Sequence, residues 1–424
     1  TVTDPAGDRL DRVLTLGPAV GLAVTMVVGS GLLVLPGLVY RNAGDAALWS
    51  WVLAALIVAP VLVAIASLGA AYPSAGGISG FVRPTLGDRW ARSAELVFLG
   101  SIPGGGGLAL VGGNLVADLV GPDWLVPAGA AGVLALGWGV NRVGARLGAR
   151  LQQVLSLTFV VGLAAVSVAA LAAGGPGPGV TGPDDPTLAI GQLGLVFFAF
   201  AGWELMAFTS EEFVDPRRDF PLMIGVSFVA VTVLYLVLGA AIQTALASTD
   251  PDLESAPISA LAEAGFGDAG RALITVLGIV IVVANVNGVV WALSRLTYSA
   301  AREGTLPATL ARTDARHVPA RAVTSVVVGF AAFAAVERLG WVDLETLFRL
   351  AAACIFAGLV LAAAAYVTHT KGRHRGFALV TLLITVVTLA SFGLIALYPI
   401  ALAAIGWSLR PSLPAFGVRC ADGR

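Results

Sequence analysis

The feature that most restricts this chain is the distance it runs without a charge. Uncharged stretches occupy 13–40, 46–82, 96–117, 124–141, 151–183, 220–249, 272–294, 350–370 and 376–409, with a shorter one at 322–336. A helix that crosses a bilayer needs about 20 predominantly apolar residues. Several of these runs meet that length once, and 376–409 holds two short spans if it turns near Gly393. Only 12% of the 424 residues are Asp, Glu, Lys or Arg, against 57% hydrophobic types. A soluble surface carries about twice that share of charge, so a water-facing globule is excluded. Sparse charge, aperiodic glycine and two cysteines, Cys354 and Cys420, exclude the disordered, collagen-like and disulfide-stapled classes. The alternating ten-residue segments of an outer-membrane barrel are missing. The expected fold class is an all-α polytopic membrane protein.

The placement of the basic residues sets a topology. Twelve transmembrane helices are expected at about 13–40, 45–70, 93–118, 124–140, 150–174, 188–211, 220–247, 270–300, 321–338, 344–369, 376–392 and 394–409. With a cytoplasmic N-terminus, 21 of the 25 Lys and Arg fall in inner segments; Arg41, Arg271 and Arg338 fall outside, and Arg349 lies in a helix. Lys/Arg bias toward the cytoplasm sets orientation. The expectation is therefore a multi-pass protein of the cytoplasmic (plasma) membrane with both termini inside. The first dozen residues are acidic and no A-x-A site follows the first apolar run, so no cleaved signal peptide is expected. Both cysteines are expected as free thiols. The longest outer connection, 248–269, is acidic and reads as a partly ordered cap. The inner connections 73–92 and 301–321 read as short amphipathic pieces.

Two apolar segments carry interruptions. Gly29-Ser30-Gly31 breaks the first, with Pro36 a turn later, and Ala201-Gly202 breaks the sixth, just before Glu204. Five helices separate these positions, an odd number, so a five-helix repeat is inverted in the membrane. Glycine-interrupted helices at matching positions of two halves point to a transporter binding site. Breaking a helix at membrane depth frees amides and carbonyls that protein, water or ligand must satisfy. The start of a half-helix near Ser30 suits a carboxylate, and small residues let a ligand approach the backbone. On spacing alone, glycine-serine-glycine serves close helix packing equally well.

Four segments together resemble the amino acid/polyamine/organocation superfamily. They are residues 25–37 (Thr-Met-Val-Val-Gly-Ser-Gly-Leu-Leu-Val-Leu-Pro-Gly) and Pro73-Ser-Ala-Gly-Gly-Ile-Ser. The third is Phe197-Phe-Ala-Phe-Ala-Gly-Trp-Glu204 with Glu211 to Pro221, and the fourth is Ser294 to Pro307 with Val318-Pro-Ala-Arg321. The chain looks most like the bacterial exporter branch whose characterised type handles methionine and branched-chain amino acids. The resemblance implies a five-plus-five inverted repeat with helices one and six unwound around a central site. The first repeat is then 13–174, the inverted second 188–369 and a C-terminal hairpin 376–409, with tails at 1–12 and 410–424. It also implies that Val28, Gly29, Ser30 and Gly31 hold a substrate carboxylate. Carbonyls near Phe200, Ala201 and Gly202 accept the ammonium, with Trp203 beside them.

Other residues leave alternatives open. A carboxylate inside a span costs about 2.5–3.5 kcal/mol to insert and faces the bundle interior. Glu204 is thus either a gate or proton-linked switch, or a structural group bracing the broken helix. Trp203 either covers substrate or packs. Asn285 and Asn287 point about 200° apart on a helix, so one faces the site while the other bonds a neighbour, or both join helices. Gly104, Gly105, Gly106 and Gly107 follow Pro103, a poor helix interior; they form a smooth wall for substrate passage or permit close packing. Lys371, the only lysine, lies in an inner segment, so no intramembrane lysine serves coupling. His317, His369 and His374 have no Cys/Asp cluster beside them, and no metal or cofactor is expected. No P-loop and no nucleophile–base pair occur, which speaks against an ATP-driven pump or an enzyme. The inner arginines are too dispersed for nucleic acid.

The leading expectation is a secondary amino-acid transporter working by alternating access, with the bilayer, small amino acids and H⁺ as its partners. Glu204 is the one acidic residue expected in the core, which favours neutral apolar substrates such as methionine, leucine, isoleucine and valine. A cationic amino-acid or polyamine antiporter and a non-transporting amino-acid sensor remain as alternatives.

Overall fold

The first apolar run forms α1 (Leu16–Val27), a 3-10 turn at Ser30–Leu33 and α2 (Leu35–Ala43). The computed structural model describes residues 14–73, 77–143, 149–207, 210, 213–314 and 318–409. The two tails, Cys420, residues 74–76 of the second motif, Glu211, Glu212 and His317 lie outside them. After α2 the chain reverses at Gly44, whose φ is 55°, into α3 (Ala47–Ala71). Next come α4 (Gly77–Leu86), α5 (Asp88–Leu99), α6 (Ile102–Val120), α7 (Val126–Val143) and α8 (Ala149–Ala173). The middle of the chain forms α9 (Pro186–Gly191), α10 (Leu193–Ala199), α11 (Trp203–Met206) and α12 (Pro216–Ala245). The remainder is α13 (Asp252–Ser255), α14 (Pro257–Arg302), α15 (Ala320–Arg338), α16 (Leu344–His369), α17 (His374–Ser391) and α18 (Leu397–Ser408). Among the described residues there is no β-strand, only one isolated bridge between Leu14 and Phe213.

Local chemistry explains several boundaries. Asp185 and Asp215 each precede a proline and accept a hydrogen bond from the amide of Thr187 and Arg218. An N-cap carboxylate satisfies a donor the helix cannot, and proline at the first helical position loses nothing there. Asp343 caps α16 in the same way through the Thr346 amide. Gly393 (φ 60°) divides α17 from the 3-10 turn at Gly393–Ala396 that leads into α18.

Seven helices among the described residues are long and apolar enough to cross a membrane. Leu157–Ala173, Leu193–Met206 and Gly393–Ser408 are shorter apolar helices. The expected first span is in pieces because it breaks after Val27. The acidic stretch 248–269 is more ordered than a cap read from charge alone. It contains α13 and the first turns of α14, which bends at Gly267 (φ 66°, ψ −165°). This segment is fastened by an Arg41–Glu254 ion pair and by Arg271, which pairs with Asp118, Asp252 and Glu263.

Apolar side chains gain little by leaving lipid for protein, so small residues that let backbones meet hold such helices together. The α6–α7 pair shows it: a Cβ on Gly113 would run into the Val126 carbonyl, and one on Gly129 would come within 2.9 Å of Gly113 Cα. Elsewhere on α6, Gly106 lies against the Phe330 carbonyl and Ala334 amide of α15. Gly132 on α7, by contrast, has open space around it. Gly113→Val is therefore expected to lower stability by about 1–3 kcal/mol through overpacking, whereas Gly132→Ala leaves it unchanged or raised. Thermal unfolding of the two purified variants, followed by loss of monodisperse protein, checks this.

Candidate functional site

The interruptions in the two apolar helices lie against each other. α1 ends at Val27, where the Gly29 amide turns back to the Val27 carbonyl at 2.8 Å. The chain resumes as a 3-10 turn, with Leu32 N–H donating to the Gly29 carbonyl at 3.1 Å. α10 ends at Ala199, and Gly202 takes a φ of 129° to start α11. That value belongs to the left-handed region, which glycine alone enters without strain. A Cβ there would also sit 2.9 Å from the Met26 carbonyl oxygen, so the two breaks are in contact.

The carbonyls at the ends of α1 and α10 converge on one hydroxyl. Tyr235 of α12 donates toward Val27 O at 3.0 Å and Ala199 O at 2.8 Å. A phenol has a single proton for these two acceptors, so the pair of carbonyls is rich in lone pairs and poor in donors. The Tyr235 ring is packed edge-on against Phe200 and Trp51. Phe200 stacks on Trp203, whose indole N–H donates to Ser227 Oγ at 3.1 Å. Phe200 and Trp203 thus belong to a buried aromatic cluster between the broken helix and α12.

A cavity of about 90 Å³ opens beside the breaks. A single water needs roughly 10–15 Å³ on this scale, so the space suits a small solute. Its lining includes the backbone of Gly29, Ala201 and Gly202 and the polar residues Glu204, Asn285 and Ser101. Its apolar lining includes Leu32, Phe98, Phe198, Val289, Leu293 and Ile355, drawn from both halves of the chain. Glu204 lines the cavity, and its Oε2 accepts the Gly202 amide at 2.8 Å, so one carboxylate both faces the space and caps the short helix behind it.

The remaining expected site residues divide by geometry. Gly29 and Asn285 meet: a Cβ on Gly29 would overlap the Asn285 amide. Asn287 faces the other way, accepting from Asn141 Nδ2 of α7 at its Oδ1 (2.8 Å) and its carbonyl (3.1 Å). Gly104 and Gly105 are on the cavity wall. Gly106 packs on α15, and Gly107 lies against Phe348 of α16. Val28 is buried in the core, and Ser30 and Gly31 open the 3-10 turn. A second carboxylate is buried in addition to Glu204. Glu95 on α5 is 1% exposed and held by Arg83 and Thr305, away from the cavity.

Sequence reasoning passed over Tyr235 and Asn141. Each carries a weak signal: one tyrosine in the middle of a long apolar run, and an asparagine just past the expected end of a span. Two outcomes follow from the contacts. Tyr235→Phe removes the donor shared by the helix ends and is expected to cost about 1 kcal/mol or slightly more. Gly29→Ala is expected to destabilise, and Asn285→Ala to recover part of the loss, with a coupling of about 0.5–3 kcal/mol in a double-mutant cycle of unfolding midpoints.

Comparison with known proteins adds the family. The sequence profile of the amino acid permease family matches residues 14–415. The chain is 29% identical over 406 residues to the L-methionine/branched-chain amino acid exporter YjeH of Escherichia coli (strain K12), covering 95% of this chain and 97% of that protein. It is 28% identical over 411 residues to the uncharacterized amino acid permease YecA of Bacillus subtilis (strain 168), covering 94% of this chain and 95% of that one. Asc-type amino acid transporter 1 of Homo sapiens is 28% identical over 341 residues, 73% of this chain and 62% of the human protein. With a family profile that spans nearly the whole sequence and a helical, membrane-length architecture around two broken helices, the chain belongs to the amino acid permeases of the amino acid/polyamine/organocation superfamily.

Proposed function

We propose that this permease carries neutral, apolar amino acids, with methionine, leucine, isoleucine and valine as substrates, and that it exports them by alternating access. The observation that carries this reading is the cavity at the two breaks. Exposed backbone at the breaks and aliphatic and aromatic side chains line it together, and the one carboxylate in its lining is engaged with the Gly202 amide. The substrate ammonium binds the donor-poor carbonyls at the ends of α1 and α10, which are negative helix termini. Its carboxylate binds the Gly29–Gly31 backbone, and its side chain lies among Phe98, Phe198, Val289 and Ile355. The name of the similar Escherichia coli protein, an exporter of methionine and branched-chain amino acids, supports the same substrate class.

In this reading the chain crosses the cytoplasmic membrane twelve times with both termini inside. Residues 13–174 and 188–369 form inverted five-helix repeats, and 376–409 forms an added hairpin. The seven long apolar helices, the first of which runs Leu35–Ala71 through α2 and α3, and three shorter ones support that count, together with α1 and α7. Glu204 is the proton-linked group: losing its charge weakens its hold on Gly202 and frees the short helix to move.

Labelled-leucine counterflow in proteoliposomes preloaded with leucine, methionine, arginine, putrescine or nothing tests the substrate class. Accumulation driven by leucine and methionine is expected. Accumulation of labelled arginine driven by arginine or putrescine, with none for leucine, would replace this reading by a cationic antiporter, and binding without flux would replace it by a sensor. Glu204→Gln is expected to keep counterflow and lose flux driven by a pH gradient. A variant whose flux still follows the gradient removes Glu204 from coupling.

A further inference from the structure

The arginines of the described residues have two kinds of partner. Arg41, Arg271 and Arg349 pair with carboxylates at one end of the helices (Glu254; Asp118, Asp252 and Glu263; and Glu345), and Arg83 does so at the other with Asp88, Glu95 and Glu303. At that second end, four further arginines lie over aromatic rings. Arg89 covers Trp407, Arg142 covers Trp138, Arg295 covers Trp291 and Arg302 covers Tyr298, at 4.6–5.7 Å from guanidinium carbon to ring centroid. None of these four forms an ion pair with a described carboxylate. A guanidinium stacked on a ring keeps its N–H donors in its own plane, pointing away from the ring. Those edges fit a phosphate in a bidentate manner.

One of these pairs lies in a more elaborate setting. Trp138 of α7 donates its indole N–H to Thr324 Oγ1 of α15 at 3.1 Å, which fixes the two helices side by side. Arg142 follows Trp138 by one turn, and Arg321 precedes Thr324 by nearly one turn. Residues three or four apart share a helix face, so both guanidiniums belong just beyond the Trp138–Thr324 bond on the arginine-rich side. Arg321 is exposed and Arg142 half-buried, and neither has an ion pair with a described carboxylate. On the other side of the bond, along the same helix faces, α7 exposes Ala131 and Ala135 and α15 exposes Val328 (61%). Along the α7–α15 seam the surface therefore runs from two cations, through an indole with its polar edge engaged, to bare aliphatic side chains.

We propose that this seam binds one anionic phospholipid. Its phosphate sits between Arg142 and Arg321, its glycerol level lies at Trp138, and an acyl chain runs over Ala135, Ala131 and Val328. Charge complementarity selects an anionic headgroup, and basic pockets between helix ends take such lipids. The aliphatic stripe selects a lipid over free phosphate, which would gain nothing from it. The hydrogen bond between Trp138 and Thr324 keeps the cations adjacent, so occupancy clamps α7 to α15.

The test uses the full-length protein in a neutral maltoside detergent. Its unfolding midpoint is measured with dioctanoyl phosphatidylglycerol, dioctanoyl phosphatidylcholine or inorganic phosphate added. A rise of several degrees with phosphatidylglycerol, and almost none with the other two, is expected. Arg142→Gln/Arg321→Gln should lose at least half of that rise, while Arg218→Gln/Arg312→Gln, which removes two exposed arginines elsewhere, should retain it. An equal rise with phosphate, or an undiminished rise in the Arg142/Arg321 double variant, overturns the proposal. If the double variant does not fold, Arg321→Gln alone, at an exposed position, gives the same reading.

Discussion

Amide and carbonyl groups released where a helix breaks inside a membrane have no bulk water to turn to, and each unmet group costs several kcal/mol. Much around the two breaks in this permease answers that constraint. The Gly29 amide turns back on the Val27 carbonyl, the Glu204 carboxylate takes the Gly202 amide, and Tyr235 reaches both the Val27 and Ala199 carbonyls. The Gly29 amide and the Tyr235 hydroxyl supply two protons to two carbonyls that carry four lone pairs, so accepting capacity is left over. A charged amine entering the cavity meets carbonyls already oriented and short of donors. In the proposed function, the same groups that make the break tolerable receive the substrate.

Those contacts depend on packing at a distance. Tyr235 reaches the breaks because α12 is held against α1 and α3, with its ring fixed by Trp51 and Phe200. Glycines on α6 bring that helix against α7, α15 and α16, which places Gly104 and Gly105 on the cavity wall and leaves Gly106 and Gly107 for packing. A Cβ on any of the four would come within 3 Å of a neighbouring helix, so all four serve close packing, and two of them line the cavity as well. On α14, Asn285 meets Gly29 while Asn287 bonds Asn141, as the roughly 200° between them requires.

Much of this was legible beforehand for simple reasons. A break that needs a backbone conformation forbidden to other residues leaves glycine in the sequence, so Gly202 marked its own position, and a carboxylate in an apolar run marked Glu204. Tyr235 was harder to find, because a tyrosine in an apolar helix looks the same whether its hydroxyl meets lipid headgroups, a neighbouring side chain or two helix ends. Phe200 and Trp203 sit next to the break in sequence but turn into an aromatic cluster on the α12 side. Sequence adjacency does not fix which way a side chain points once helical periodicity is interrupted.

The sequence by itself determined the solvent this protein lives in, its helical class, its family and the two places where its apolar helices come apart, because all of these follow from composition, local propensity and backbone sterics. Tertiary structure decided what those breaks do. It brought them into contact, set Tyr235 and Glu204 on their exposed backbone groups, and enclosed a cavity with residues from both halves of the chain. It also placed Arg142 and Arg321 on neighbouring helices. Each of these pairs residues far apart in sequence, and helix rotation and neighbour choice are settled by side-chain fit across the whole bundle, which no local pattern encodes.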